Sequence, residues 1–165
     1  MASDLRWTRV ATPLGPLTVV ASPSGVLATE LGEASERFLE GAGADRALER
    51  DDDGLEAVRR DVADYFAGRL RTFRTPVDLA FVSGFTRRVY EATIDVPYGE
   101  LRTYGDVAAA AGSPRAFRAA GTALRHCPIE LWIPCHRVVP AGPGFGTYGG
   151  HPERREALLR LEHAI

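Results

Sequence analysis

Between Tyr104 and Arg125 the chain reads as helix except at Gly112-Ser113-Pro114. This break constrains the fold more than any other feature. Tyr104–Ala111 is a short Ala-rich helix. Ser113 then suits an N-cap, and Pro114 suits the first position of a second helix running to about Arg125. Helix, short Gly-containing turn, helix is the helix-turn-helix pattern, which by itself is more often structural than functional. The second helix carries little bulk, with Ala116, Ala119, Ala120, Gly121 and Ala123, and is charged by Arg115, Arg118 and Arg125. A Gly inside a helix costs roughly 1 kcal/mol relative to Ala. That cost makes sense where a second surface, either a packed helix or a binding partner, must approach the backbone closely.

The first half has a different rhythm. Trp7–Thr12, Leu17–Ala21 and Val26–Leu31 are short apolar, β-branched runs. They are separated by Pro13-Leu14-Gly15-Pro16 and Ser22-Pro23-Ser24-Gly25, so they predict three strands joined by turns. Gly41–Asp53 is polar and acidic and is expected to be loop. Leu55, Val58, Val62, Tyr65 and Phe66 recur at helical spacing, with Gly68 as the stop. Pro76–Phe81 reads as an extended connector, after which Ser83 caps a helix bearing Phe85, Val89, Ala92 and Thr93 on one side. The expected architecture is α/β: a small N-terminal domain of sheet plus helix over residues 1–78, and a mainly helical domain with the helix-turn-helix over 79–165.

Composition narrows the function classes. At 165 residues with 45% hydrophobic and 25% charged residues, the chain suits one ordinary domain or two small ones. No apolar run approaches the roughly 18 residues that span a bilayer, and the first residues do not read as a signal peptide. The net charge of −2 is uneven: residues 1–80 hold 10 Arg against 14 Asp and Glu, and residues 81–165 hold 10 Arg against 8. The second half is therefore where a nucleic-acid surface is expected. With two cysteines, Cys127 and Cys135, no disulfide framework is built, and a reducing cytoplasm is the expected setting. The first half has no Cys or His, so no zinc set and no other metal site is expected there.

Leu131-Trp132-Ile133 reads as a buried strand, followed by Pro134-Cys135-His136-Arg137-Val138-Val139. Cys beside His can be a nucleophile and its base. Neighbours on a strand point to opposite faces, so direct pairing would need a turn or a bridging water. By spacing alone, a buried inert Cys is the commoner outcome.

The hexapeptide as a whole resembles the active-site signature of the O6-alkylguanine-DNA alkyltransferases, also known as methylated-DNA–protein cysteine methyltransferases. The resemblance runs from about Phe85 to Glu162. It takes in Pro97-Tyr98-Gly99-Glu100, Thr103-Tyr104-Gly105, the Ala/Gly/Arg helix, and Tyr148-Gly149-Gly150 with Leu158-Leu159 and Glu162. It implies a ribonuclease H-like N-terminal domain and a reaction without a cofactor. In that reaction the alkyl group on O6 of guanine, or on O4 of thymine, passes irreversibly to Cys135, once per molecule. His136, through a water, and Glu162 resemble the relay that draws the proton from the thiol, since the thiolate is the effective nucleophile. Tyr104 resembles the phenol that gives a proton or hydrogen bond to the departing base.

The lesion lies in double-stranded DNA, so it must be flipped out to be reached. The resemblance places the second helix in the minor groove and Arg118 in the gap left by the base. Thr86, Arg125 and the segment with Arg115, Ala119 and Gly121 resemble phosphate or groove contacts. Pro134, Val138, Tyr148 and Gly149 resemble the pocket for the base. A monomer is expected; cooperativity on DNA, sequence preference and the range of alkyl groups are left open.

The chain departs from the pattern at Cys127, eight residues before Cys135, where relatives commonly carry Asn. A thiol cannot replace the amide's two donors and acceptor. Either Cys127 is a small filler, with Thr122 and His126 or water compensating, or it lies close enough to Cys135 to be a second acceptor or to alter its reactivity. Thr86, Tyr90 and Ala141 depart in lesser ways. Two other functions compete. A non-catalytic sensor of alkylated DNA resembles the same family but has another residue in place of the cysteine. A Cys-His hydrolase or thiol redox enzyme would need an oxyanion-site motif or a CxxC pair, and would leave the Ala/Gly/Arg helix unexplained.

Overall fold

The computed structural model describes residues 4–33, 36–43, 47–146 and 150–165. The chain divides into two compact units, Met1–Asp78 and Leu79–Ile165.

The first unit is built on a four-stranded sheet in the order β3-β2-β1-β4. Strands β1 (Leu5–Val10), β2 (Leu17–Ser22) and β3 (Gly25–Leu31) form an antiparallel meander. Its core is the central strand: Leu17, Thr18, Val19, Val20 and Ala21 are all buried. Each large aliphatic side chain so placed stabilises the fold by roughly 1.5–3 kcal/mol. The expected acidic loop includes regular structure. Helix α1 (Glu36–Gly43) runs into it, and β4 (Leu48–Arg50) pairs parallel to β1 at the sheet edge. β4 has one apolar residue in three positions, too little for a strand signal.

Helix α2 (Glu56–Phe66) buries Val58, Val62 and Tyr65 and stops where Gly68 takes φ +76. A buried carboxylate, Asp61, ties its flank to the following segment. It accepts hydrogen bonds from the backbone N–H of Arg74 and of Thr75, at 2.9 and 2.8 Å, and from the Thr75 hydroxyl at 2.8 Å. The expected connector is sheet-like at its start: Val77 forms a parallel bridge with Val26.

The second unit is mainly helical. Helix α3 (Gly84–Ile94) follows Ser83, whose backbone is in the capping position but whose side chain makes no cap. Helix α4 (Tyr104–Ala110) starts from a full capping box. The Thr103 hydroxyl accepts from the Asp106 N–H at 3.1 Å, and the Asp106 carboxylate accepts from the Thr103 N–H at 2.9 Å. Two expectations fail here. The next helix, α5 (Phe117–Arg125), begins at Phe117 and not at Pro114. Residues Ser113–Ala116 instead close a separate turn, with the Ala116 N–H on the Ser113 carbonyl at 2.9 Å, after Gly112 at φ +88 has reversed the chain. Ser113 therefore caps nothing.

Leu131–Ile133 is equally buried as expected, but it is a tight turn and not a strand. Leu131 has φ +74, and Glu130 bridges Ile133. Short strands β5 (Arg102–Thr103) and β6 (Val138–Val139) then pair in parallel, and α6 (Pro152–Leu161) completes the unit. Among the described residues no helix is long and apolar enough to cross a membrane.

Candidate active site

Cys135, His136 and Arg137 form one turn of 3-10 helix, with Pro134 at its start and β6 at its end. The turn resolves the problem posed by adjacent Cys and His, because on it the two side chains need not point to opposite faces as on a strand. All three residues are buried.

His136 Nε2 lies 2.8 Å from Glu162 Oε2, both side chains fully enclosed. Glu162 is the residue that closes α6. It also accepts from Arg137 Nε at 2.8 Å and from Arg137 Nη2 at 2.9 Å, while Arg137 Nη1 donates to the Val96 carbonyl at 2.8 Å. Burial by itself raises the Glu162 pKa. The hydrogen bonds from His136 and Arg137 outweigh it and hold the carboxyl well below the usual range. For His136, burial dominates and lowers the pKa, against the opposing pull of Glu162. The imidazole is therefore neutral near pH 7. A neutral ring facing a carboxylate through Nε2 must carry its proton there, which leaves Nδ1 as a lone-pair acceptor. Nδ1 is buried and has no hydrogen-bond partner among the described residues.

Cys135 is 3% exposed and lines a cavity of about 220 Å³, together with Tyr104, Gly121, Leu124, Arg125 and Cys127. Arg154, Arg155, His151 and Glu130 complete the wall. Three arginines against one glutamate make it a cationic recess. Tyr104 is brought there by the capping box, as the first residue of α4. Gly121 gives α5 its clearance. A Cβ at that position would lie 3.8 Å from the Tyr104 ring, so any longer side chain would enter the recess.

Cys127 follows α5, its N–H on the Leu124 carbonyl at 3.2 Å. Its thiol donates to the Ile129 carbonyl at 3.7 Å, and it lines the same recess as Cys135, near enough for the two sulfurs to interact. Burial, then that interaction with Cys135, pushes the Cys127 pKa well up. Cys127 is thus next to Cys135 and stays protonated. Tyr90 is buried within electrostatic reach of the same pair. Burial first, then the two sulfurs, raise its pKa to about 12, and its hydroxyl donates to the Ala123 carbonyl at 2.8 Å.

The remaining expected residues are dispersed. Arg125, exposed on α5, borders the cavity, whereas Arg118 and Ala119 are exposed on the same helix, and Arg115 in the turn before it, without lining it. Thr86 is half-buried on α3. Pro134 and Val138 are buried beside the cavity residues in sequence but do not line the cavity. Tyr148 and Gly149 lie outside the described residues. Sequence reasoning gave no role to Arg137, although its place inside the hexapeptide was the available signal. It also missed Phe117, a half-exposed aromatic beside Arg118.

Comparison with known proteins agrees over both units. Residues 5–79 match the family model described as 6-O-methylguanine DNA methyltransferase, ribonuclease-like domain, and residues 84–164 match the model of the same name, DNA binding domain. A methylated-DNA–protein-cysteine methyltransferase from Mycobacterium bovis is 36% identical over 159 residues, covering 96% of this chain and 92% of the relative. The constitutive methylated-DNA–protein-cysteine methyltransferase of Bacillus subtilis is 31% identical, covering 93% and 92%. Among solved structures, Mycobacterium tuberculosis O6-methylguanine methyltransferase superposes with a TM-score of 0.82 at 32% identity, covering 97% of this chain and 93% of that one. The same organism's OGT in complex with DNA gives 0.79 at 34%, covering 97% and 92%. With both halves matched and the thiol, imidazole and carboxylate in place, the chain belongs to the 6-O-methylguanine DNA methyltransferase family.

Proposed function

We propose that this protein repairs alkylated DNA directly, taking the O6-alkyl group of guanine, or the O4-alkyl group of thymine, onto Cys135 in a single turnover. The observation that carries it is the neutral His136, fixed by Glu162, on the same 3-10 turn as a thiol that lines a cationic recess. His136 Nδ1 takes the proton of Cys135 through a water. The thiolate sulfur attacks the alkyl carbon, the carbon–oxygen bond breaks, and the purine leaves with its negative charge on the ring. Tyr104, which lines the same recess, donates to that charge. The thioether formed is stable, so the acceptor is consumed. No cofactor enters this balance, and one chain carries every group it uses, so a monomer suffices.

Reaching the lesion requires its extrusion from the duplex, at a cost of a few kcal/mol. We assign that to α5 in the minor groove, with Arg118 filling the vacated stack. Arg115, Ala119, Arg125 and Thr86 supply backbone and groove contacts; Pro134 and Val138, which flank the 3-10 turn, shape the base pocket by fixing that turn, and Tyr148 and Gly149 are assigned to it by the family resemblance. A reducing cytoplasm keeps the acceptor thiol usable.

The test is incubation with duplex DNA containing O6-methylguanine. One methyl per chain should appear on Cys135, and Cys135→Ala should abolish transfer while keeping DNA binding. Binding without transfer by the unaltered protein would favour the non-catalytic sensor.

A further inference from the structure

Cys127 is left over by the mechanism above, yet it lines the same recess as the acceptor Cys135, within interaction range of its sulfur. Cys127–Ile129 belong to no helix or strand, so the segment carrying this sulfur can shift more readily than an element locked by a backbone ladder. The 3-10 turn carrying Cys135 is firmly held by the Arg137–Glu162 pair. One fixed thiol beside a second thiol on an irregular segment, both on the wall of one recess, is the arrangement of an attacked sulfur and its resolving partner.

We infer that Cys127 and Cys135 form a reversible disulfide when the protein meets a hydroperoxide, making the acceptor cysteine a redox-modification site. The Cys135 thiolate attacks the terminal peroxide oxygen, the oxygen–oxygen bond breaks, and hydroxide leaves and takes up a proton, giving a sulfenic acid at Cys135. The Cys127 sulfur then attacks the Cys135 sulfur. The sulfur–oxygen bond breaks, and the hydroxide released leaves as water with the Cys127 proton. Two thiols are oxidised by two electrons in total, one hydrogen peroxide is reduced, and two waters form. The disulfide occupies the sulfur that alkyl transfer needs, so repair stops. It also keeps Cys135 from the irreversible sulfinic and sulfonic acids. Reduction by a dithiol restores both groups.

The effect on repair rests on Cys135 being the acceptor, whereas the disulfide itself does not. The two are therefore read separately. Full-length protein is treated with hydrogen peroxide in the absence of DNA, then analysed by intact mass and by peptide mapping without reduction. The expected product has lost two hydrogen atoms, contains a Cys127–Cys135 cross-link, and accepts no methyl until dithiothreitol is added. Wild type should then recover most of its untreated capacity. Cys127→Ala and Cys127→Ser, each compared with its own untreated sample, should recover roughly fivefold less or worse, because their Cys135 proceeds to sulfinic acid. Sulfinic acid at Cys135 with Cys127 unmodified in wild type would overturn the inference, whatever the variants do. Equal recovery in the variants would overturn it as well. A cross-link that forms without loss of methyl acceptance would support the disulfide and remove Cys135 as the acceptor.

Discussion

His136 Nε2 and Glu162 Oε2 lie 2.8 Å apart across 26 positions of sequence, both completely enclosed. The carboxylate thereby sets which imidazole nitrogen holds the proton and which is a base. His136→Gln should slow methyl transfer from duplex DNA by roughly a hundredfold or more. Glu162→Gln should slow it too, and should also destabilise the fold by about 3–5 kcal/mol, since Arg137 loses its buried counter-charge. Single-turnover rates beside urea unfolding separate the two effects. A His136 variant with an unchanged rate would remove the base.

The pH dependence follows from the same pair. The folded His136 pKa is lowered, so in the native protein the ring stays neutral as pH falls through about 6.5, where an unfolded His protonates. Its contribution to stability is full above that pH and is lost as pH falls below it toward the folded value. The folded Glu162 pKa is depressed as well, so its contribution is full above about 4.3 and is lost only in stronger acid. Transfer rates should therefore show no acid limb centred on pH 6.5; the limb should fall lower. A rate halved at pH 6.5 would mean that the base titrates as an ordinary histidine.

Thr103→Ala removes one half of the capping box that starts α4 at Tyr104. Thermal or urea unfolding should show a loss of about 1 kcal/mol. If Tyr104 serves the departing base, transfer should slow as well, with DNA affinity nearly constant. A stability loss with no change in rate would assign the box to folding alone.

Gly121→Ala tests why a glycine sits inside α5. The added Cβ meets the Tyr104 ring at 3.8 Å, an ordinary contact, so the variant should be as stable as wild type or gain up to about 1 kcal/mol from helix propensity. Gly121→Leu would instead fill the recess, and should keep the fold while accepting methyl groups far more slowly. A Leu variant of normal rate would place the reacting base elsewhere.

Arg118 is exposed, and its guanidinium lies 6.0 Å from the Phe117 ring on the same helix. Arg118→Ala should slow repair in duplex DNA much more than reaction with free O6-benzylguanine, because only the duplex requires extrusion. Equal losses on both substrates would rule out a role in base flipping.

The two halves announced themselves in different ways. The meander was legible because its strands alternate with Pro/Gly turns, and its central strand is rich in apolar and β-branched residues. The short strand at Leu48–Arg50 was not, because an edge strand of three residues buries almost nothing. Leu131–Ile133 shows a different limit. An apolar run reports burial and says nothing of backbone geometry, so a turn with Leu131 at φ +74 looks the same as a strand. Ser113 and Pro114 carry good helix-start signals, and the chain spends them on a turn. At the site, the hexapeptide pointed to Cys135 and His136. The proximity of the two thiols depends on how the end of α5 meets the 3-10 turn, which no local pattern encodes.

The Arg137–Glu162–His136 cluster has a practical consequence. Glu162 arrives from the end of α6, while its two partners sit on a turn more than twenty residues earlier. If His136 is the base, the carboxylate that fixes its tautomer is in place only while α6 is docked. Capture of an alkyl group is thus a covalent record of the docked state: in a partly denatured sample, the labelled fraction counts molecules whose last helix was in place when substrate arrived.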